Sequence, residues 1–138
     1  MAKVQNIRRQ KMNKKKILVV DDEPDVLRLT SLRLEKVGYE TLTAVDAQQA
    51  LEIIQNKKPD LVLLDTIIPV VYGTEICRRI KSDENLKHIP VVLFTAHSNI
   101  MNTEKAKAFG ADGYIGKPFD ARELVSMVEQ ILAAPAAV

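Results

Sequence analysis

The sequence predicts an α/β protein built on a doubly wound, five-stranded parallel sheet with helices on both faces. Three observations point there. Five short β-rich runs alternate with helical patterns; the first, third and fourth runs are continuously apolar; and the links between elements are short. Continuously apolar runs suit parallel strands covered on both faces. A repeated βα pattern with short links returns each strand to one sheet through right-handed crossovers.

The predicted strands are Ile17–Val20, Tyr39–Ala44, Leu61–Leu64, Val91–Phe94 and Tyr114–Ile115. Tyr39–Ala44 alternates more than the others and suits a sheet edge. The first helix has Pro24 at its opening position, where a missing N–H costs nothing, and Val26, Leu27, Thr30, Leu34 and Val37 form its expected buried stripe before Gly38. Asp46 with Gln49 resembles a capping box ahead of the second stripe, Ala47, Ala50, Leu51 and Ile54. Ile76, Cys77 and Ile80 mark the third helix, with Cys77 read as packing rather than redox chemistry. The fourth, around Asn102 to Phe109, has little beyond Ala106 and Phe109 to bury, so it is expected to be the weakest and most mobile; Gly110 suits its end. Asp120 with Glu123 opens the fifth, whose stripe is Leu124, Val125, Val128, Ile131 and Leu132.

A chain of 138 residues, 46% hydrophobic and 28% charged, has the composition of one ordinary globular domain. Its apolar runs are far too short to span a membrane. Cys77 is the only cysteine, which excludes an intrachain disulfide and a cysteine-based zinc site, and a reducing, cytoplasmic location is expected. Residues 1–13 read as a basic, disordered tail, 14–132 as the folded domain and 133–138 as a C-terminal tail. The first sixteen residues carry seven positive charges and no acid against a net charge of +2, which leaves −5 for the rest. Such a basic arm can bind nucleic acid or an acidic membrane surface, but a solvated terminus is the commoner case.

The residues that follow the strands carry the chemistry. Asp21, Asp22, Asp65, Thr95 and Lys117 all fall beyond carboxyl ends of strands, where open α/β sheets bind their ligands. Singly, each has a plain structural explanation in turns and helix caps. Together, three carboxylates held close repel one another unless a cation intervenes, and a site this open suits Mg²⁺, which keeps waters and accepts phosphate oxygens. Lys117 can neutralise phosphoryl oxygens and the Thr95 hydroxyl can donate to them. Asp65 ends the central strand, where a carboxylate can act as nucleophile and form an acyl phosphate, with Asp21 and Asp22 holding the metal. Phosphoryl transfer of this kind needs no histidine base, so His88 and His97 default to surface or loop roles.

KILVVDD (Lys16–Asp22), DLVLLD (Asp60–Asp65) with Pro69 and Gly73, FTA (Phe94–Ala96) and GADGYIGKPF (Gly110–Phe119) together resemble the ordered signature of response-regulator receivers of bacterial two-component systems, over about residues 14 to 132. The resemblance implies a flavodoxin-like sheet of order 2-1-3-4-5 and a phosphoacceptor signalling domain, not an enzyme beyond self-catalysed transfer and slow autodephosphorylation. It makes Asp65 the phosphoacceptor, Asp22 a direct metal ligand, Asp21 a water-mediated one and the Ile67 carbonyl a further ligand. Thr95 and Tyr114 match the switch pair, and Lys117–Pro118 matches the family's cis peptide bond. The implied partners are a sensor histidine kinase or histidine phosphotransfer protein in a phosphorelay, and a downstream protein at the face of the fourth helix, fifth strand and fifth helix. A homodimer formed on phosphorylation is a further form the resemblance allows.

The match is imperfect after Asp65, where Ile67, Ile68, Val70, Val71 and Tyr72 make the loop unusually apolar. Ile67 is expected to shield the acyl phosphate and lengthen its life; an Ile67→Asn variant tests this. Val70, Val71 and Tyr72 read as a small exposed apolar patch for a partner, with Val71 pointing into the core instead as an equal alternative. Among rival readings, a dehalogenase-type phosphatase needs an Asp where Ile67 stands, and a P-loop needs Ser or Thr where Pro118 stands and Gly where Ala111 stands. A phosphate-independent binding module is disfavoured because the acidic set is complete. With no DNA-binding domain or membrane span in its 138 residues, the chain is expected to act as a stand-alone receiver.

Overall fold

The structure is a computed structural model that describes residues 14–66, 73–96 and 102–133. In chain order its elements are β1 (Lys16–Val20), α1 (Pro24–Lys36), β2 (Glu40–Ala44), α2 (Ala47–Lys57), β3 (Leu61–Asp65), α3 (Gly73–Ser82), β4 (Val91–Thr95), α4 (Thr103–Ala108), β5 (Gly113–Gly116) and α5 (Ala121–Ala133). All four strand pairings are parallel, in the order β2-β1-β3-β4-β5, so the expected sheet is the observed one.

Alternation of side chains across the pleat divides the core in two. Leu18, Val20, Val62, Leu64, Val91 and Leu93 pack with Ile54 of α2, Ile76, Cys77 and Ile80 of α3 and Ala106 of α4. Ile17, Val19, Leu61, Leu63, Val92, Phe94 and Ile115 pack with Leu27 and Leu34 of α1 and Leu124 and Val128 of α5. Every residue of β3 and β4 is buried, whereas β2, at the edge, buries only Ala44.

Local chemistry sets the helix ends. Pro24 opens α1, and Gly38 and Gly110 take positive φ (102° and 85°) just past α1 and α4, conformations that cost a residue without Cβ little. Lys58, at φ 45°, ends α2 in the left-handed region without glycine, a feature no sequence signal announced. The expected stripe of α1 runs one residue too far, because Val37 lies past the last helical turn and is 49% exposed. Asp46 caps α2 by accepting from Gln49 N at 2.8 Å, but the Gln49 side chain accepts from Val45 N rather than from the cap residue itself. Asp120 accepts from Arg122 N at 2.7 Å instead of from Glu123. As expected, α4 is the weakest helix: it spans six residues and buries only Ala106.

Candidate functional site

Strand phase explains why distant residues meet at one edge. Ile17 and Val19, Leu61 and Leu63, and Ile115 all face the α1/α5 side. Two residues beyond the last of each set stand Asp21, Asp65 and Lys117, so the same phase carries these three toward one point past the strand ends. Thr95 has the opposite phase. It follows Val91 and Leu93, which face the α2–α4 side, and Tyr114 on the neighbouring strand packs against that same cluster.

Asp21, Asp22 and Asp65 each offer a carboxylate oxygen, and these oxygens lie within 4.8 Å of one another. Asp21 is fully buried and Asp65 is 7% exposed, while Asp22 is exposed and keeps the cluster open to water. Asp21 Oδ1 accepts from Glu23 N at 3.0 Å. Lys117 Nζ donates to Asp21 Oδ2 and stands 3.4 Å from Asp65 Oδ2. Burial pulls the Lys117 ammonium toward deprotonation, but the hydrogen bond to Asp21 and the charges of Asp65 and Asp21 outweigh it, so its pKa is raised above the ordinary lysine value. The lysine is therefore a fixed cation in this cluster. In this structure it is paired with Asp21 and stands beside Asp65.

These three carboxylates and one ammonium together carry two net negative charges in a small, partly buried space. The donor set is all oxygen and one ligand faces solvent. Both features fit a hard divalent cation that retains water, Mg²⁺ above all.

Backbone contacts tie the site to the strands. Thr66 N donates to Phe94 O at 2.9 Å and Lys117 N to Thr95 O at 2.8 Å, so the residues after Asp65 and after β5 are both pinned to β4. The Lys117–Pro118 peptide is cis. Gly73 N donates to Thr66 O at 3.0 Å, and a Cβ placed on Gly73 would lie 1.8 Å from the carbonyl oxygen of Asp65. Gly73 is thus a positional requirement of the Asp65 peptide, which sequence reading met only as part of a motif. Thr95, 2% exposed, ends β4 beside this cluster. A cavity of about 480 Å³ between α1 and the β5–α5 link adjoins the cluster through Ala96 and Lys117, but no carboxylate of the cluster lines it. Sequence reading also missed the stack of Phe119 on Phe94, with centroids 5.2 Å apart and planes 16° from parallel. No periodicity marks it, because one ring lies on a link and the other on a strand.

Ile67, His97 and the Val70–Tyr72 patch lie outside the described residues, as does the basic segment 1–13. Cys77 is fully buried, and burial, helped by Asp112 and opposed by Lys81, pushes its thiol up to about 11. No helix among the described residues is long and apolar enough to cross a membrane.

Residues 17–129 match the response regulator receiver domain family. The phosphate regulon transcriptional regulatory protein PhoB of Pseudomonas aeruginosa is 43% identical over 118 residues, 86% of this chain and 52% of that protein. The DNA-binding dual master transcriptional regulator RpaA of Synechocystis is 37% identical over 117 residues, 85% of this chain and 48% of that protein. The chain therefore spans about half the length of the curated relatives it matches. Among solved structures, a response regulator of Chloroflexus aurantiacus superposes with a TM-score of 0.84 at 32% identity, covering 88% of this chain and all of that one. The chemotaxis response regulator CheY4 of Vibrio cholerae gives 0.80 at 28% identity, covering 86% and 99%.

Proposed function

The chain belongs to the response regulator receiver domain family, and from that premise we propose that Asp65 accepts a phosphoryl group from a histidine kinase or histidine phosphotransfer protein and that the modified domain switches a protein-binding face. The observation that carries this reading is the meeting of Asp21, Asp22 and Asp65 with Lys117 beyond the ends of β1, β3 and β5. Receiver domains are signalling domains, and the chemistry of this site is a single transfer.

A carboxylate oxygen of Asp65 attacks the phosphorus of the phosphohistidine. A P–O bond forms as the P–N bond breaks, and the leaving imidazole nitrogen keeps the electron pair and takes a proton. Asp65 suits the nucleophile's part because it is held at the end of the central strand, pinned on one side through Thr66 and Phe94. Lys117, 3.4 Å from Asp65 Oδ2, is near enough to offset charge on the transferred oxygens. Asp21, Asp22 and Asp65, with the Ile67 carbonyl, would hold Mg²⁺, which when bound neutralises phosphoryl charge as a Lewis acid.

A phosphoryl group on Asp65 adds up to two negative charges and three acceptor oxygens at a cluster with one cation. Lys117 is drawn from Asp21 toward the new group and the Thr95 hydroxyl turns to donate to it. Tyr114, half-buried on the same face of the sheet as Thr95, moves inward and changes the surface formed by α4, β5 and α5. Because α4 buries so little, that surface can rearrange at low cost. The switched face engages a downstream protein or a second copy of the chain.

The test is incubation with acetyl phosphate and Mg²⁺ followed by intact-mass measurement, with Asp65→Asn and EDTA controls. One phosphoryl adduct that needs both Asp65 and metal is expected. A folded protein that takes no adduct from acetyl phosphate or from a cognate kinase would overturn the reading in favour of a phosphate-independent binding module.

A further inference from the structure

We infer that Phe119 is a positioning residue for Lys117, its ring holding the β5–α5 link so that the ammonium stands beside Asp65. The inference rests on the role proposed above for Lys117 and concerns how that role is enforced.

A lysine ammonium sits on a flexible four-carbon stem, so its usefulness at a reacting oxygen depends on where its backbone is fixed. Between the end of β5 at Gly116 and the start of α5 at Ala121, the chain has few holds. Lys117 N donates to Thr95 O at 2.8 Å on one side. Pro118 is exposed and has no N–H to give. Asp120 accepts from Arg122 and so caps α5 from its own side. What ties the middle of the link to the sheet is the Phe119 ring, lying almost flat on Phe94.

The choice of Phe94 as the platform matters. It is fully buried in β4, opposite Asp65 of β3 on one side and Ile115 of β5 on the other. Its carbonyl accepts from Thr66 N, the amide that follows Asp65. One residue therefore fixes both parts of the site, the acceptor through its backbone and the lysine link through its ring. Lys117 makes its contacts with Asp21 and Asp65 from a backbone held at both ends. Losing the stack leaves the link held only through Lys117 at its start and the α5 cap at its end, and lets the ammonium spread over more positions.

The experiment follows phosphorylation by acetyl phosphate in Mg²⁺, by intact-mass time course, for wild type, Phe119→Leu, Phe119→Tyr, Lys117→Ala and Lys117→Ala/Phe119→Leu, with folding checked by far-UV circular dichroism. Phe119→Leu should slow the reaction about 2- to 12-fold, the rate equivalent of one offset aromatic pair, and Phe119→Tyr should stay within about 2-fold of wild type. In the Lys117→Ala background, Phe119→Leu should change nothing further, since no ammonium remains to be placed; a general packing defect would slow both backgrounds alike. Phe119→Met replaces Phe119→Leu throughout if the leucine variant is not folded. Equal slowing in both backgrounds, or a wild-type rate in Phe119→Leu, overturns the inference while leaving the receiver reading intact. A Lys117→Ala variant as fast as wild type removes the lysine role and this inference with it, and a wild type that takes no phosphoryl group removes the receiver reading itself.

Discussion

In metal-free buffer, replacing Asp22 with Asn should make the protein more stable, although Asp22 belongs to the proposed metal site. Asp22 makes no hydrogen bond or ion pair among the described residues, and its carboxylate shares a space within 4.8 Å of those of Asp21 and Asp65. Two unit charges 4.8 Å apart repel by about 0.9 kcal/mol at the dielectric of water and by about 3.5 kcal/mol at an effective value of 20. Asp22 is exposed, so the water-like figure applies. It faces two carboxylates, and the Lys117 charge offsets roughly one of these repulsions, which leaves about 1 kcal/mol gained on neutralisation. That corresponds to a rise of about 0.5 M in the urea midpoint. The chain has no tryptophan, so far-UV circular dichroism is the readout. Saturating Mg²⁺ should reverse the order, because wild type gains binding energy that the variant largely loses. An Asp22→Asn midpoint in EDTA at or below that of wild type would refute the electrostatic account of the cluster.

Gly73→Ala is expected to cost about 3 kcal/mol or more in urea unfolding, since its Cβ would stand 1.8 Å from the Asp65 carbonyl oxygen and the backbone must move; a change below about 1 kcal/mol would show that the α3 start yields freely. Asp112→Ala should destabilise by about 1–3 kcal/mol, because Asp112 Oδ2 accepts from Val91 N at 2.8 Å and that partly buried amide would lose its acceptor, whereas Lys81 Nζ, 2.9 Å from the same oxygen, keeps the Ile89 carbonyl at 2.8 Å; a neutral result by the same melt would mean that water replaces it. Cys77 should resist a thiol reagent at pH 8 in the native state and react on unfolding. Its folded pKa, about 11, lies above the ordinary thiol value of 9.0, so the protonated thiol favours the fold. That contribution is complete below pH 9 and is lost as pH rises toward 11, so wild type should lose stability there relative to Cys77→Ala. A stand-alone receiver should appear in its native cell as a protein of this chain's 138 residues; one about twice as long would place the domain within a regulator of the PhoB type.

Legibility followed the range of the cause. Apolar runs and helical spacing act over a few residues, so all five strands and the burial of Leu27, Leu34, Ile54, Ile80, Leu124 and Val128 could be read directly. Where the reading slipped, a local rule met a particular geometry. Val37 has the right residue type and spacing, but the helix stops before it turns inward. Gln49 and Asp120 carry the right cap chemistry, but each side chain finds a neighbouring amide or donor instead of the standard one.

The site divides in the same way. By itself, the sequence determined the fold class and which side chains follow each strand, because strand phase and chain order are properties of short segments. Only the tertiary structure decided which charges share a counterion. Lys117 and Asp21 are 96 residues apart in the chain and meet because β1, β3, β4 and β5 align in register at one edge. The same packing brings the peptide of Asp65 against Gly73 and lays Phe119 on Phe94. Such contacts depend on distances between elements rather than on the residues within any one of them, and those distances exist only once the sheet has formed.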